Sequence, residues 1–178
     1  MSLKAFFISI ICFSLFQQDS EIIWRNDLAL SWDNFNGRPD LNSTAAAVTA
    51  SGISYNYSVS RVGDRVVGFD AMVISHFYPE KSWCKKDQIN EHILRHEQFH
   101  FNITELHSRL LRKQLSLLKP NPELISQITT AYKTVNEDLA KFQNKYDEAS
   151  DYSRNYEAQK KWELIVEEQL EALKDFAL

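Results

Sequence analysis

The chain is poor in the residues that staple small domains and in those that break up regular structure. Two cysteines, four glycines and four prolines are spread over 178 residues. Two cysteines, Cys12 and Cys84, are too few for a cysteine-stapled scaffold, and their isolated surroundings give no metal motif. The scarcity of glycine and proline leaves few tight turns and favours long helices. Excess positive charge is also missing: the net charge is −4 and no basic stripe recurs on one face, which argues against a nucleic-acid partner. No apolar run is long enough to cross a bilayer as a helix. What remains is an ordinary globular composition, 44% hydrophobic and 25% charged, in a length suited to one domain with its own core.

Most of the chemical information lies in His96-Glu97-Gln98-Phe99-His100. At about 3.6 residues per turn, positions four apart project from one side of a helix, so the imidazoles of His96 and His100 can converge on one ion. Glu97 lies beside that stripe. There it can take a proton from a water that the metal has acidified to a pKa of roughly 7, and deliver it to a leaving amine. This spacing is that of zinc metallopeptidases. A helix to carry it is expected over about 88–118, with Asp87 as N-cap, Ile89, Ile93, Phe99, Ile103, Leu106, Leu110 and Leu111 at helical intervals, and Lys119-Pro120-Asn121-Pro122 as the stop.

The first residues have the pattern of an export signal. Lys4 precedes an apolar run from Ala5 to Phe16, of signal-peptide length. Ser14-Leu15-Phe16-Gln17 lacks small residues at the cleavage positions, so residues 1–20 are read as a signal peptide or a retained N-terminal membrane anchor. Ile10-Ile11 before Cys12 makes a poor lipoprotein signal. The expected location is the periplasm, the cell envelope or the exterior.

Beyond this segment a strand-rich half precedes a helical half. Ile53, Tyr55, Tyr57 and Val59 alternate, Arg65 to Phe77 carries Val66, Val67, Phe69, Met72, Val73 and Ile74, and Gly63-Asp64 supplies the turn of a β-hairpin. Such a hairpin is a candidate to align an extended substrate beside the metal. Ile125, Ile128, Tyr132, Val135, Leu139, Phe142 and Tyr146 alternate at spacings of three and four, the seam of a helix packed lengthwise on another. A final helix over about 155–176 places Trp162, Ile165, Val166, Leu170, Leu173 and Phe176 toward the core.

Antiparallel pairing of the two long helices bears on the third metal ligand. From His100 to Leu118 the first helix travels roughly 27 Å, and the second regains the level of His96 near residue 144. The segment 146–152 therefore emerges close to the metal, which makes Asp147, Glu148 and Asp151 candidate ligands, since zinc accepts a carboxylate as its third donor. Glu105 is about 140° around the axis from His100, and His107 is roughly 10 Å further along. Neither can share the ion. His76, His92 and His107 are read as ordinary polar or packed histidines, and Asn102 and Glu105 as hydrogen-bonding support.

In these residues the chain resembles the secreted bacterial zinc-dependent proteases grouped as domain of unknown function 922. The resemblance runs through Trp32-Asp33-Asn34-Phe35-Asn36-Gly37-Arg38-Pro39, Thr49 with Gly52-Ile53-Ser54-Tyr55, Ser82-Trp83, the stretch from His96 to Leu106, and Tyr146-Asp147 with Gln159 and Trp162. It implies zinc-dependent peptide hydrolysis outside the cytoplasm. One position departs from the pattern: Tyr152 stands where many relatives carry a histidine, an obvious third ligand. Asp147 becomes the first choice in its place, and the Tyr152 phenol a candidate donor to an oxyanion.

The expectation is thus a single α+β, zincin-like domain over 21–178, with a small antiparallel sheet before a metal-binding helix and a helical C-terminal half. Its metal is Zn2+ on His96, His100 and Asp147, its general base Glu97, and its substrate a peptide or protein. The rival is an envelope binding protein that keeps the zincin scaffold with weak or no turnover; a zinc enzyme acting on another amide or ester is a third reading.

Overall fold

The computed structural model describes residues 21–178. The export segment expected over 1–20 lies outside the described residues. The strands are β1 (Ile22–Ile23), β2 (Ala47–Val48), β3 (Ser51–Val62), β4 (Arg65–Phe77) and β5 (Trp83–Cys84), followed by the helices α1 (Glu91–Ser116), α2 (Leu124–Ala149) and α3 (Tyr156–Ala172). The architecture is α+β. No helix among the described residues is long and apolar enough to cross a membrane.

Alternation dictates the hairpin. β3 and β4 pair antiparallel from Ser51↔Phe77 to Val62↔Arg65, across a two-residue turn in which Gly63 adopts φ 58°. That left-handed conformation is open to glycine without a Cβ clash. Ile53, Val66 and Val73 are buried against the helices, while Val67 and Met72 on the other phase stay exposed. β1 extends the sheet on the far side of β4, giving the order β1-β4-β3, and β2 and β5 form a separate two-stranded ladder.

α1 begins later than its sequence suggests. Asn90, not Asp87, is the N-cap, and its side chain accepts a hydrogen bond from the Ile93 amide. From His96 to Arg109 the helix is buried on nearly every side, because the hairpin covers one flank and α2 and α3 cover another. Phe101, unremarkable in the periodicity, is fully buried in a second apolar cluster with Phe77 and Leu30. The α2 seam is shifted at its start: Leu124 is buried, whereas Ile125 is 41% exposed. α3 stops at Ala172 and gives way to one 3-10 turn, Lys174–Phe176, so the single helix expected to 176 is shortened.

A loop before β2 fixes the wall that faces the site. Gly37 donates its amide to the carbonyls of Pro79 (3.1 Å) and Ser82 (2.7 Å), and a Cβ there would sit 2.8 Å from the Ser82 carbonyl. Only glycine allows that approach. Ser82 in turn accepts the Ala50 amide at 2.9 Å, which holds the chain just after β2.

Candidate metal centre

The α2 helix returns along α1 so that Phe142 faces His107 and Asp147 faces both His96 and His100. His96 and His100, four apart on α1, therefore oppose a single carboxylate on α2. The Asp147 Oδ1 lies 3.1 Å from His96 Nε2 and 3.0 Å from His100 Nε2, and the two Nε2 atoms are 3.2 Å apart. Donors at zinc distances of about 2.0–2.1 Å in a tetrahedral shell stand roughly 3.3 Å from one another. The observed triangle matches that spacing within a few tenths of an ångström. His96, His100 and Asp147 can hold a metal ion.

Electrostatics describe the same cluster. Burial by itself would raise the Asp147 carboxyl, but hydrogen bonds from His100 and His96 outweigh it and hold the group well below the usual carboxylate range. Burial would likewise lower His100. Its hydrogen bond to Asp147, together with the charges of Glu97 and Asp147, raises it instead. Three Lewis-basic atoms about 3 Å apart require positive charge among them, whether as protons or as a cation.

Glu97 is buried at 4% exposure, and its Oε2 has no hydrogen-bonding partner among the described residues. The Nδ1 of His96 is likewise buried and unpartnered, its ring stacked on Tyr146 at 4.7 Å. A buried carboxylate oxygen left unsatisfied beside two imidazoles and a second carboxylate suits a water or substrate group held at a metal. On these observations the donor set fits a metal ion.

The cluster lies at the floor of a cleft of about 320 Å³, walled by the strip Ala45–Thr49, Ile93, Tyr152 and Ser153. Thr49 Oγ1 donates to the Glu97 carbonyl at 3.1 Å and ties that strip to the metal-bearing turn. The β3/β4 hairpin, expected to align a substrate, does not line the cleft. Its inward side chains are used up in covering α1, and β2, which among the described residues pairs only with β5, takes the position beside the site.

The remaining sequence candidates separate cleanly. Asp151 is exposed and paired with Arg154 at 2.7 Å, and Glu148 is not part of the donor cluster. Tyr152 rims the cleft at 62% exposure, in a turn where Asp151, Tyr152 and Ser153 have φ of 48°, 52° and 68°. Three successive non-glycine residues in that region cost on the order of 1 kcal/mol each. Their turn is pinned by the Tyr152 amide donating to the Asp147 carbonyl (2.8 Å) and by His92 Nε2 donating to the Ser153 carbonyl (2.9 Å). His92 also lies flat on Tyr156, with ring centroids 3.5 Å apart. His76 bonds Ser54, and His107 bonds the Ile103 carbonyl at 2.8 Å. Asn102 accepts from Trp24 and Gln98, and Glu105 from Ser75, Arg109 and Arg112, so both are structural.

Two contributors escaped the sequence reading. The run of small residues Ala45-Ala46-Ala47 with Val48 has no role in that reading, although Thr49 beside it belongs to the resemblance. Gln143 bonds His100, and one signal pointed to it: it precedes Asp147 by four residues, as His96 precedes His100.

Comparison of the chain with protein-family models, with curated proteins and with solved structures finds no match. What fold and site define is an α+β domain with a cluster of two buried histidines and one half-buried carboxylate, able to hold a metal ion, at the floor of an open cleft.

Proposed function

We propose that this chain is an exported zinc-dependent metallopeptidase of the zincin kind, acting on a peptide or protein substrate. One observation carries the reading: the three-donor cluster of His96, His100 and Asp147 lies beside a buried glutamate with an unpartnered oxygen, and both open onto a cleft. Zinc, when bound, supplies Lewis acidity that acidifies a water and polarises the scissile carbonyl. His96 and His100 would hold the ion through Nε2 and Asp147 through Oδ1, a mixed nitrogen and oxygen set suited to that metal.

The other steps belong to the chain. Glu97 Oε2 accepts the proton of the attacking water and returns it to the leaving nitrogen. The strip Ala45–Thr49 orients an extended substrate along the cleft, and the Thr49 bond keeps it in register with the base. Tyr152, at the rim, offers its phenol to the developing oxyanion. The resemblance to domain of unknown function 922 supports membership of that family, and the apolar run from Ala5 to Phe16 supports export.

Zinc analysis and a peptide-library digest test the proposal. Reconstituted protein is expected to carry about one zinc per chain and to cleave peptides, and Glu97→Gln to keep the zinc while turnover falls at least about a hundredfold. Turnover unchanged in that variant removes Glu97 from the mechanism. Zinc bound without turnover leaves an inactive zincin-like binding protein, and folded protein without zinc ends the metal reading.

A further inference from the structure

The two histidines of the centre are supported in different ways. Among the described residues His96 has no hydrogen-bonding partner for its buried Nδ1, and its ring is stacked on Tyr146, 18° from parallel. His100 is held by hydrogen bonds. Its Nδ1 lies 3.1 Å from Gln143 Oε1, and Gln143 Nε2 lies 3.2 Å from Thr104 Oγ1.

The direction of the bonds through Gln143 follows from its neighbours. Thr104 Oγ1 is 3.1 Å from the His100 carbonyl and 2.7 Å from Ser51 Oγ, and these two oxygens are the acceptors open to its single proton. A lone pair of the same oxygen then accepts from Gln143 Nε2. The Gln143 amide is thereby oriented with its nitrogen toward Thr104 and its oxygen toward His100. An oxygen acceptor at Nδ1 requires the proton on Nδ1, so Nε2, which faces Asp147 Oδ1 and His96 Nε2, is the nitrogen that exchanges its own proton for a metal ion.

We infer that Gln143 is a positioning residue for the metal centre, selecting the His100 tautomer whose Nε2 can ligate, under the control of Thr104 and Ser51. The inference rests on the metal-centre reading above and adds to it a determinant outside the donor set. It also gives β3 a part in the site: Ser51, at the first position of the hairpin, opens a chain of hydrogen bonds that ends at a ligand. A ligating histidine whose second nitrogen is anchored has a fixed ring plane and greater basicity, and losing such a partner typically weakens metal binding by about 10–100-fold.

The test is zinc affinity, measured by competition with a chromophoric chelator, on full-length protein and on Gln143→Leu, Gln143→Glu and Thr104→Val. Alongside it, the His100 Nδ1–H signal is followed by NMR in the zinc-loaded forms. Gln143→Leu is expected to weaken zinc by about 10–100-fold and to lose the protected Nδ1–H signal. Gln143→Glu keeps an acceptor for that proton and is expected to return affinity to within about threefold of wild type, a rescue that a merely space-filling Gln143 would not give. Thr104→Val, nearly isosteric, frees the amide to rotate and is expected to weaken zinc by a smaller factor. Affinity in Gln143→Leu within about threefold of wild type overturns the inference while leaving the metal centre intact, as does Gln143→Glu binding no better than the leucine variant. Absence of zinc binding by wild type overturns the metal reading itself, and the inference with it.

Discussion

Glu97 and Glu105 lie about two turns apart on α1 and are equally withdrawn from solvent, at 4% and 2% exposure, yet their surroundings differ in kind. Glu105 is saturated. Arg109 Nε and Arg112 Nη1 each donate to its Oε1 at 2.9 Å, and Ser75 donates to its Oε2, a hydroxyl that also contacts Ser108. The two arginines reach onward to the carbonyls of Leu170, Val73 and Phe176, so this cluster ties α1 to the sheet and to the C-terminal end of the chain. Glu97 has no such company: its Oε2 has no partner among the described residues, and it faces a cleft. Burying a carboxylate oxygen without a partner is costly, and this contrast with Glu105 on the same helix is what the proposed role of Glu97 rests on.

The largest expected effect breaks the saturated cluster. Glu105→Gln leaves two buried guanidinium groups facing a neutral amide, and removal of one partner from a buried ion pair costs about 3–5 kcal/mol. Urea denaturation should register that loss with zinc site chemistry unaltered in the folded fraction. A loss no greater than that of a surface variant would show that the arginines find other partners.

The same substitution two turns earlier should do the reverse. Glu97→Gln removes a buried charge whose Oε2 has no hydrogen-bonding partner among the described residues, so metal-free Glu97→Gln is expected to unfold at no lower a urea concentration than wild type. Zinc at a hundred times its dissociation constant should stabilise both proteins by about 2.7 kcal/mol, since Glu97 is not a ligand. A clear destabilisation of the metal-free variant would show that Glu97 supports the fold as Glu105 does.

A smaller effect distinguishes two histidines of α1. His100 faces carboxylates and is raised, whereas burial lowers His107 from its ordinary value of 6.5, only partly offset by the Ile103 carbonyl. The unfolded chain then binds a proton that folded His107 refuses. Its contribution to stability is therefore complete above about pH 6.5 and is lost as pH falls through that value toward the depressed folded one. Stability of His107→Gln, followed from pH 8 down to about pH 5, should fall less steeply than that of wild type over the acid limb. An equally steep fall assigns the acid sensitivity elsewhere.

Much of this was legible from the chain. The hairpin turn at Gly63-Asp64, the long helix through His96 and His100 and the return of α2 to the level of His96 all follow from periods of two and of three to four residues, which report local geometry. Helix spacing similarly placed both imidazoles on one side and put Asp147 within reach. Exceptions fall at element ends, where the cap at Asn90 and the burial of Leu124 instead of Ile125 depend on how neighbouring segments close over the terminus.

By itself, then, the sequence determined which side chains share a helix face and how far along each helix they lie, because backbone geometry links position to direction residue by residue. Only the tertiary structure decided which of Asp147, Glu148 and Asp151 meets the histidines, because that choice depends on the rotation of α2 against α1, set by packing along the whole interface. It decided likewise that Ala45–Thr49, and not the hairpin, walls the cleft, that Gln143 holds His100, and that one buried glutamate is saturated while the other is bare. Partners of a buried polar group come from segments distant in the chain, and no local period encodes which of them will arrive.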